Sequence, residues 1–153
     1  MRRHLSQPIE AACWPDSLTQ VPLSRENTAA VHQLLALGST LGGGQVADFE
    51  TWMDSFDSDP EFDRQLCFVV TDDQGVIAVA QCWTSAFIRN LVVHPRAQGQ
   101  GVGHRLLALV FNAFAERGEG QVDLKVMECN LKARRLYEQS DMQYVQRCEL
   151  EPR

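Results

Sequence analysis

Residues 87–115 constrain the chain most. Phe87-Ile88-Arg89-Asn90-Leu91-Val92-Val93 is an apolar, branched run closed by His94-Pro95, which predicts a strand. Gln98-Gly99-Gln100-Gly101-Val102-Gly103 follows, with three glycines at alternate positions. From His104 to Ala115, Leu106, Leu107, Val110, Phe111 and Phe114 then share one stripe at helical spacing. A strand that passes through a glycine loop into an amphipathic helix belongs to a layered α/β arrangement. It is also an anion site: glycines let backbone N–H groups approach a ligand, and the helix N-terminus adds a partial positive charge. The stretch predicts a bound diphosphate without saying whose.

The flanking chain supplies the other layers. A weak strand is expected over Ile9–Trp14, broken by Pro15. Ser24 suits the N-cap of a helix over 25–37, ended by Gly38. Gly42–Gly44 reads as a flexible loop. A second helix is expected over Val46–Phe56, with Val46, Phe49, Met53 and Phe56 inward. Leu66–Val70 and Val76–Trp83 read as strands joined by a hairpin turn at Thr71–Gly75. Gln121–Val126 alternates polar and apolar, as a strand with one wet face does. Asn130 opens a short helix with Ala133, Leu136 and Tyr137 inward, and residues 142–150 make a final strand. A hairpin-rich first half and a crossover-rich second half argue for an α+β fold, a mixed sheet with helices on its faces.

Length, at 153 residues, is that of one domain, so 1–153 is expected to fold as a single unit. No apolar run approaches a membrane span, and the N-terminus has a basic start but no apolar h-region of a signal peptide. The five cysteines include no Cys-x-x-Cys pair, and four sit in apolar surroundings. Reduced, buried thiols in a cytoplasm are therefore expected, with no metal site. The net charge of −6 is uneven: residues 1–86 carry 4 basic and 12 acidic groups, residues 87–153 carry 10 and 8. The glycine-loop half is the one friendlier to an anion. An acidic chain with pI near 5.1 and no basic stripe argues against nucleic acid as a partner.

Two motifs together resemble the GCN5-related N-acetyltransferases, the GNAT superfamily. Gln98-x-x-Gly101-x-Gly103 fits that family's acetyl-CoA loop, [Arg/Gln]-x-x-Gly-x-[Gly/Ala], after a Val-His-Pro strand end. Some 30 residues on, Asn130-x-x-Ala133-x-x-x-Tyr137-Glu138 is similar to its Asn-x-x-Ala-x-x-x-Tyr-Glu segment. The resemblance implies a mostly antiparallel central sheet of six to seven strands flanked by about four helices. It also implies acetyl transfer from acetyl-CoA to a primary amine, on a small molecule or a protein, by direct attack in a ternary complex.

The resemblance carries roles for particular residues. Backbone groups of Gln98, Gly99, Gln100, Gly101, Val102 and Gly103 would hold the CoA pyrophosphate, with residues 101 and 103 small so that the ligand can approach. His104 would add a phosphate contact. The 87–93 strand would offer backbone groups of Leu91, Val92 and Val93 to the pantetheine arm. Asn130 would seat the next helix and the CoA arm, and Tyr137 would protonate the departing thiolate. A homodimer is an option common in the family.

Three departures stand out. Ala86-Phe87-Ile88 offers no carboxylate where many members carry a glutamate, so the base is unassigned and a non-catalytic acyl-CoA sensor is the alternative. A different acyl donor is also open. Asp141-Met142 replaces the usual Gly-Phe, and Gln100 replaces a common basic loop residue. Cys129 reads as a buried thiol, and Arg134 and Arg135 as a solvated helix face. Asp48, Glu50, Asp54, Asp57, Asp59, Glu61 and Asp63 form an acidic run that is either a solvated face or a gate for a cationic amine acceptor.

Overall fold

The computed structural model describes residues 1–11, 13–42 and 45–148. Its elements are β1 (Arg2–His4), β2 (Thr19–Val21), α1 (Thr28–Gly42), α2 (Phe49–Ser58), β3 (Phe62–Asp72), β4 (Gly75–Trp83), β5 (Phe87–Val93), α3 (Val102–Glu116), β6 (Gln121–Leu124) and α4 (Leu131–Gln139). A single 3-10 turn, Pro95–Ala97, precedes the glycine loop. The six strands form one sheet in the order β1-β6-β5-β4-β3-β2. Every pairing is antiparallel except β5–β6, where α3 supplies the crossover that parallel neighbours require.

The central strands bury both faces, hence their continuous apolar runs. On one face, Val31, Leu34 and Leu35 of α1 and Trp52 and Phe56 of α2 pack on Cys67, Val69 and Val79. On the other, Leu106, Leu107, Val110, Phe111 and Phe114 of α3 pack on Phe68, Val70, Ala80, Ile88, Val122 and Leu124. The predicted α3 stripe is therefore the buried one. The hairpin turn forms as expected, with Asp72 opposite Gly75.

Pairing between β5 and β6 stops after two rungs, Phe87↔Asp123 and Ile88↔Leu124. From Arg89 to Val93, β5 faces no described strand on that side. This opening in the sheet faces the glycine loop, because β5 runs directly toward it.

Several expectations are corrected. Ile9–Trp14 forms no strand among its described residues; the N-terminal strand is Arg2–His4. Arg2 binds Asp123 through two hydrogen bonds of 2.8 and 3.1 Å, which secures β1 on β6. The final strand reduces to one bridge, Gln143 to Arg2, with no strand over 144–148; residues 149 and 150 lie outside the described residues. Ser24 opens a turn, and α1 starts at Thr28. Gly38 does not end α1, which continues to Gly42; a Cβ on Gly38 would meet Val92 Cγ2 at 2.4 Å, so the glycine lets helix and strand approach. Gly43 and Gly44, read as loop, lie outside the described residues. In α2, Trp52 rather than Phe49 turns inward, its indole N–H donating to Gln81 Oε1 at 2.8 Å. Cys67 and Cys82 are buried, but Cys13, Cys129 and Cys148 are exposed.

Candidate active site

The loop between β5 and α3 takes its shape from two glycines. Gly99 has φ 78° and Gly101 φ 77°, in the left-handed region that side chains resist. Gly101 is the N-cap of α3 and supplies no side chain to its first turn, and no other side-chain cap bond reaches it. The contrast is internal: Asp48 caps α2 through Thr51 N–H, and Asn130 caps α4 through Ala133 N–H. The first N–H groups of α3 have no acceptor within the helix. Arg105 Nη1 donates to Gln100 C=O at 3.2 Å, which brings a guanidinium alongside.

Strand β5 presents alternate backbone groups to its open edge. His94 N–H donates to Ile77 C=O at 2.7 Å, which marks 94 and 77 as a hydrogen-bonded pair. Counting back along the antiparallel register, Val92–Val79 and Asn90–Gln81 pair the same way. Leu91 and Val93 fall between and turn their N–H and C=O away from β4. Gln98 Nε2 donates to Val93 C=O at 3.0 Å on that far side. Val92 turns its backbone to β4 and its side chain to Gly38 on α1.

Helix α4 closes the other side. A Cβ on Gly103 would lie 2.9 Å from Leu136 Cδ2, so residue 103 is small for helix packing, beyond any need of a ligand. Tyr137, the next residue, is 8% exposed within the α3 core. Burial pushes its phenol up to about 12. Asn130 Oδ1 accepts from Ala133 N–H at 3.2 Å, while a Cβ on Gly42 would lie 3.5 Å from Asn130 Nδ2, so the end of α1 meets the start of α4.

His104 is already engaged. Its Nδ1 lies 3.0 Å from Ser140 Oγ and its Nε2 3.0 Å from Glu10 Oε2. Glu10 belongs to the strap of residues 5–18, which also accepts from Asn112 Nδ2 at Glu10 C=O, 2.8 Å. Strap and helix enclose a groove of about 500 Å³ that reaches Gly101, His104 and Arg105. Arg134 is tied to Tyr144 Oη at 2.9 Å and Glu128 C=O at 2.8 Å, and Cys129 is exposed, not buried.

The sequence reading missed Arg105 and Lys132. Lys132 Nζ donates to Gln98 Oε1, so the Gln98 amide links β5 to α4. The signal for Arg105 was its place four residues after Gly101, one helical turn into α3. Lys132 had no such signal, since only the fold brings α4 to the loop.

A family model described as Acetyltransferase (GNAT) family matches residues 29–142. The chain belongs to that family. Over 107 residues it is 34% identical to mycothiol acetyltransferase of Beutenbergia cavernae, covering 66% of this chain and 33% of that protein. Over 78 residues it is 33% identical to ribosomal protein bS18-alanine N-acetyltransferase of Haemophilus ducreyi, covering 49% of this chain and 54% of that one. The chain thus spans a third and about half the length of these two curated relatives. Among solved structures, a GCN5-related N-acetyltransferase from Sphaerobacter thermophilus superposes with TM-score 0.73 and 26% identity, over 93% of this chain and 46% of that one. The mixed, mostly antiparallel six-stranded sheet with four helices is the GNAT fold.

Proposed function

We propose that this GNAT chain transfers the acetyl group of acetyl-CoA to a primary amine by direct attack in a ternary complex. One observation carries the reading: the uncapped start of α3 stands beside the open edge of β5. The free N–H groups, the two left-handed glycines and the Arg105 guanidinium fit a diphosphate. The edge groups of Leu91 and Val93 fit an amide-bearing arm, as one strand fits another. The names of the two relatives, both acetyltransferases, point the same way.

Within that reading, Gln98 to Gly103 bind the diphosphate through backbone N–H groups, and His104 holds the strap and α4 beside them. Asn130 caps α4 and so sets the position of Tyr137. An outward N–H of β5 polarises the thioester carbonyl and stabilises the oxyanion. Tyr137 donates its phenolic proton toward the departing thiolate; with its pKa pushed up to about 12, the phenol is protonated at every ordinary assay pH. The acceptor amine attacks in its neutral form.

A second reading, an acyl-CoA sensor, draws on the start of β5. Ala86 and Ile88 are buried and Phe87 stacks on Trp83, with no carboxylate among them. Thiol release from acetyl-CoA across amines, amino acids and peptides separates the two. Transfer predicts turnover that Tyr137→Phe lowers by about a hundredfold or more with acetyl-CoA affinity retained, the usual scale of general acid loss. Binding without turnover on any amine would leave the sensor. Gly101→Val should abolish acetyl-CoA binding in calorimetry while far-UV circular dichroism is preserved; retained binding would sink both readings.

A further inference from the structure

We propose that the acceptor is an amine bearing a carboxylate or phosphate near its reactive nitrogen, and that Arg89 and Lys125 seat that anion. The proposal rests on the acetyl-transfer reading and names its substrate class.

The register puts these two cations together. The last rungs between β5 and β6 are Phe87↔Asp123 and Ile88↔Leu124, so Arg89 and Lys125 are the next residue on each arm, where pairing stops. Opposite residues of parallel strands share a face, and the strands start about 5 Å apart. Ile88 and Leu124 are buried under α3, which turns their neighbours to the face of α1 and α2. Arg89 is found there: Nη2 lies 3.4 Å from Gln45 C=O in the α1–α2 connection, and the guanidinium stands over the Trp83 ring at 5.7 Å. On β6 the alternation continues, with Val122 and Leu124 buried and Lys125 exposed.

The loop leads into α3, which packs on the other face of the sheet, so in this reading the acceptor comes to the open edge of β5 from the α1–α2 face, beside Arg89 and Lys125. Among the described residues neither cation has an ion pair. The nearest carboxylate in the register, Asp123, is already bound to Arg2, and Glu128 to Arg147. Two neighbouring cations without a carboxylate repel each other unless an anion sits between them. A guanidinium held on an indole face presents its fork to a carboxylate or phosphate, and a lysine adds a point charge. Within the acidic run, Asp57 and Asp63 pair with Arg64 and Arg117, and Glu61 accepts from Thr84 and Ser85.

The test uses the full chain saturated with CoA. Inorganic phosphate and acetate, titrated at constant ionic strength, should each produce a saturable shift of the Arg89 Nε–H NMR signal that Lys125→Gln weakens. No saturable shift, or one indifferent to Lys125→Gln, overturns the anion site. Kinetics then compare glycine with glycinamide and phosphoethanolamine with ethanolamine, which separates carboxylate from phosphate. At least one anionic member should exceed its neutral partner in kcat/KM by about tenfold or more, and Arg89→Gln should cut that ratio by about tenfold. Equal use of neutral and anionic members overturns the proposal. A saturable shift with no turnover on any amine upholds the anion site and fails the acetyl-transfer reading instead.

Discussion

A Cβ on Gly38 would sit 2.4 Å from Val92 Cγ2 and 2.9 Å from its other methyl, closer than packed atoms come. Overpacking of this kind costs about 1–3 kcal/mol, against about 1 kcal/mol that alanine returns in helix propensity. Gly38→Ala should therefore lower stability in urea unfolding, and should lower it less when Val92→Ala removes the clash. Gly120→Ala, with nothing within 4 Å and no left-handed backbone, should be near neutral. Tyr137 carries a prediction of another kind. Burial disfavours the phenolate, so its pKa rises and the proton stays on to about 12. The kcat/KM profile should climb as the acceptor amine loses its proton, then stay level through pH 10, where an ordinary tyrosine would ionise. A fall near pH 10 with the fold intact would contradict the burial of that hydroxyl.

Helices α2 and α4 are capped by side chains, and α3 is not. The bare end is the one we propose for the diphosphate. Asn130→Ala removes the cap on α4 and should cost about 1 kcal/mol, while Asn130→Asp should retain most of it. If Asn130→Ala unfolds at the same urea midpoint as the parent, Oδ1 is not supporting the helix. Strand β1 poses a different question, because the sequence pointed to a final strand over 142–150 and to none over Arg2–His4. Arg2 met Asp123 on β6, Leu5 N–H met Gly120 C=O, and the later segment was left with a single bridge through Gln143. Edge pairing is a competition between segments, and local pattern does not rank the competitors.

At the scale of the whole molecule, alkali should be a selective denaturant. Burial raises Cys67 from 9.0 to about 12, Cys82 well above 9.0 and Tyr137 to about 12. In the unfolded chain these groups ionise near their ordinary values. Between about pH 9 and 12 the unfolded state then binds fewer protons than the native one, so stability falls as pH rises. For Cys67 alone the span corresponds to roughly 4 kcal/mol. Thermal midpoints should be flat up to about pH 8.5 and drop steeply above, and Cys67→Ala should soften that drop.

Strand β5, the glycine loop, α3 and the Asn130–Tyr137 helix were legible in the sequence because each rests on local spacing and on residues within one element. Those segments also carry the family motifs, and membership followed from them. What lay outside local spacing was decided by the tertiary structure. Gly38 looked like a helix end until Val92 was seen against it. Phe49 suited the inner face of α2, but Trp52 took it, because a partner for the indole N–H, Gln81, came from a distant strand. The strap that ties Glu10 to His104 joins residues 94 positions apart. By itself, then, the sequence determined the glycine loop and the elements that flank it, since backbone conformation and helical period are local properties. Only the tertiary structure decided which strand lies on β6, why Gly38 and Gly103 are small, and that Arg89 and Lys125 are the next residues past the last β5–β6 rung, since each depends on chain segments brought together by burial.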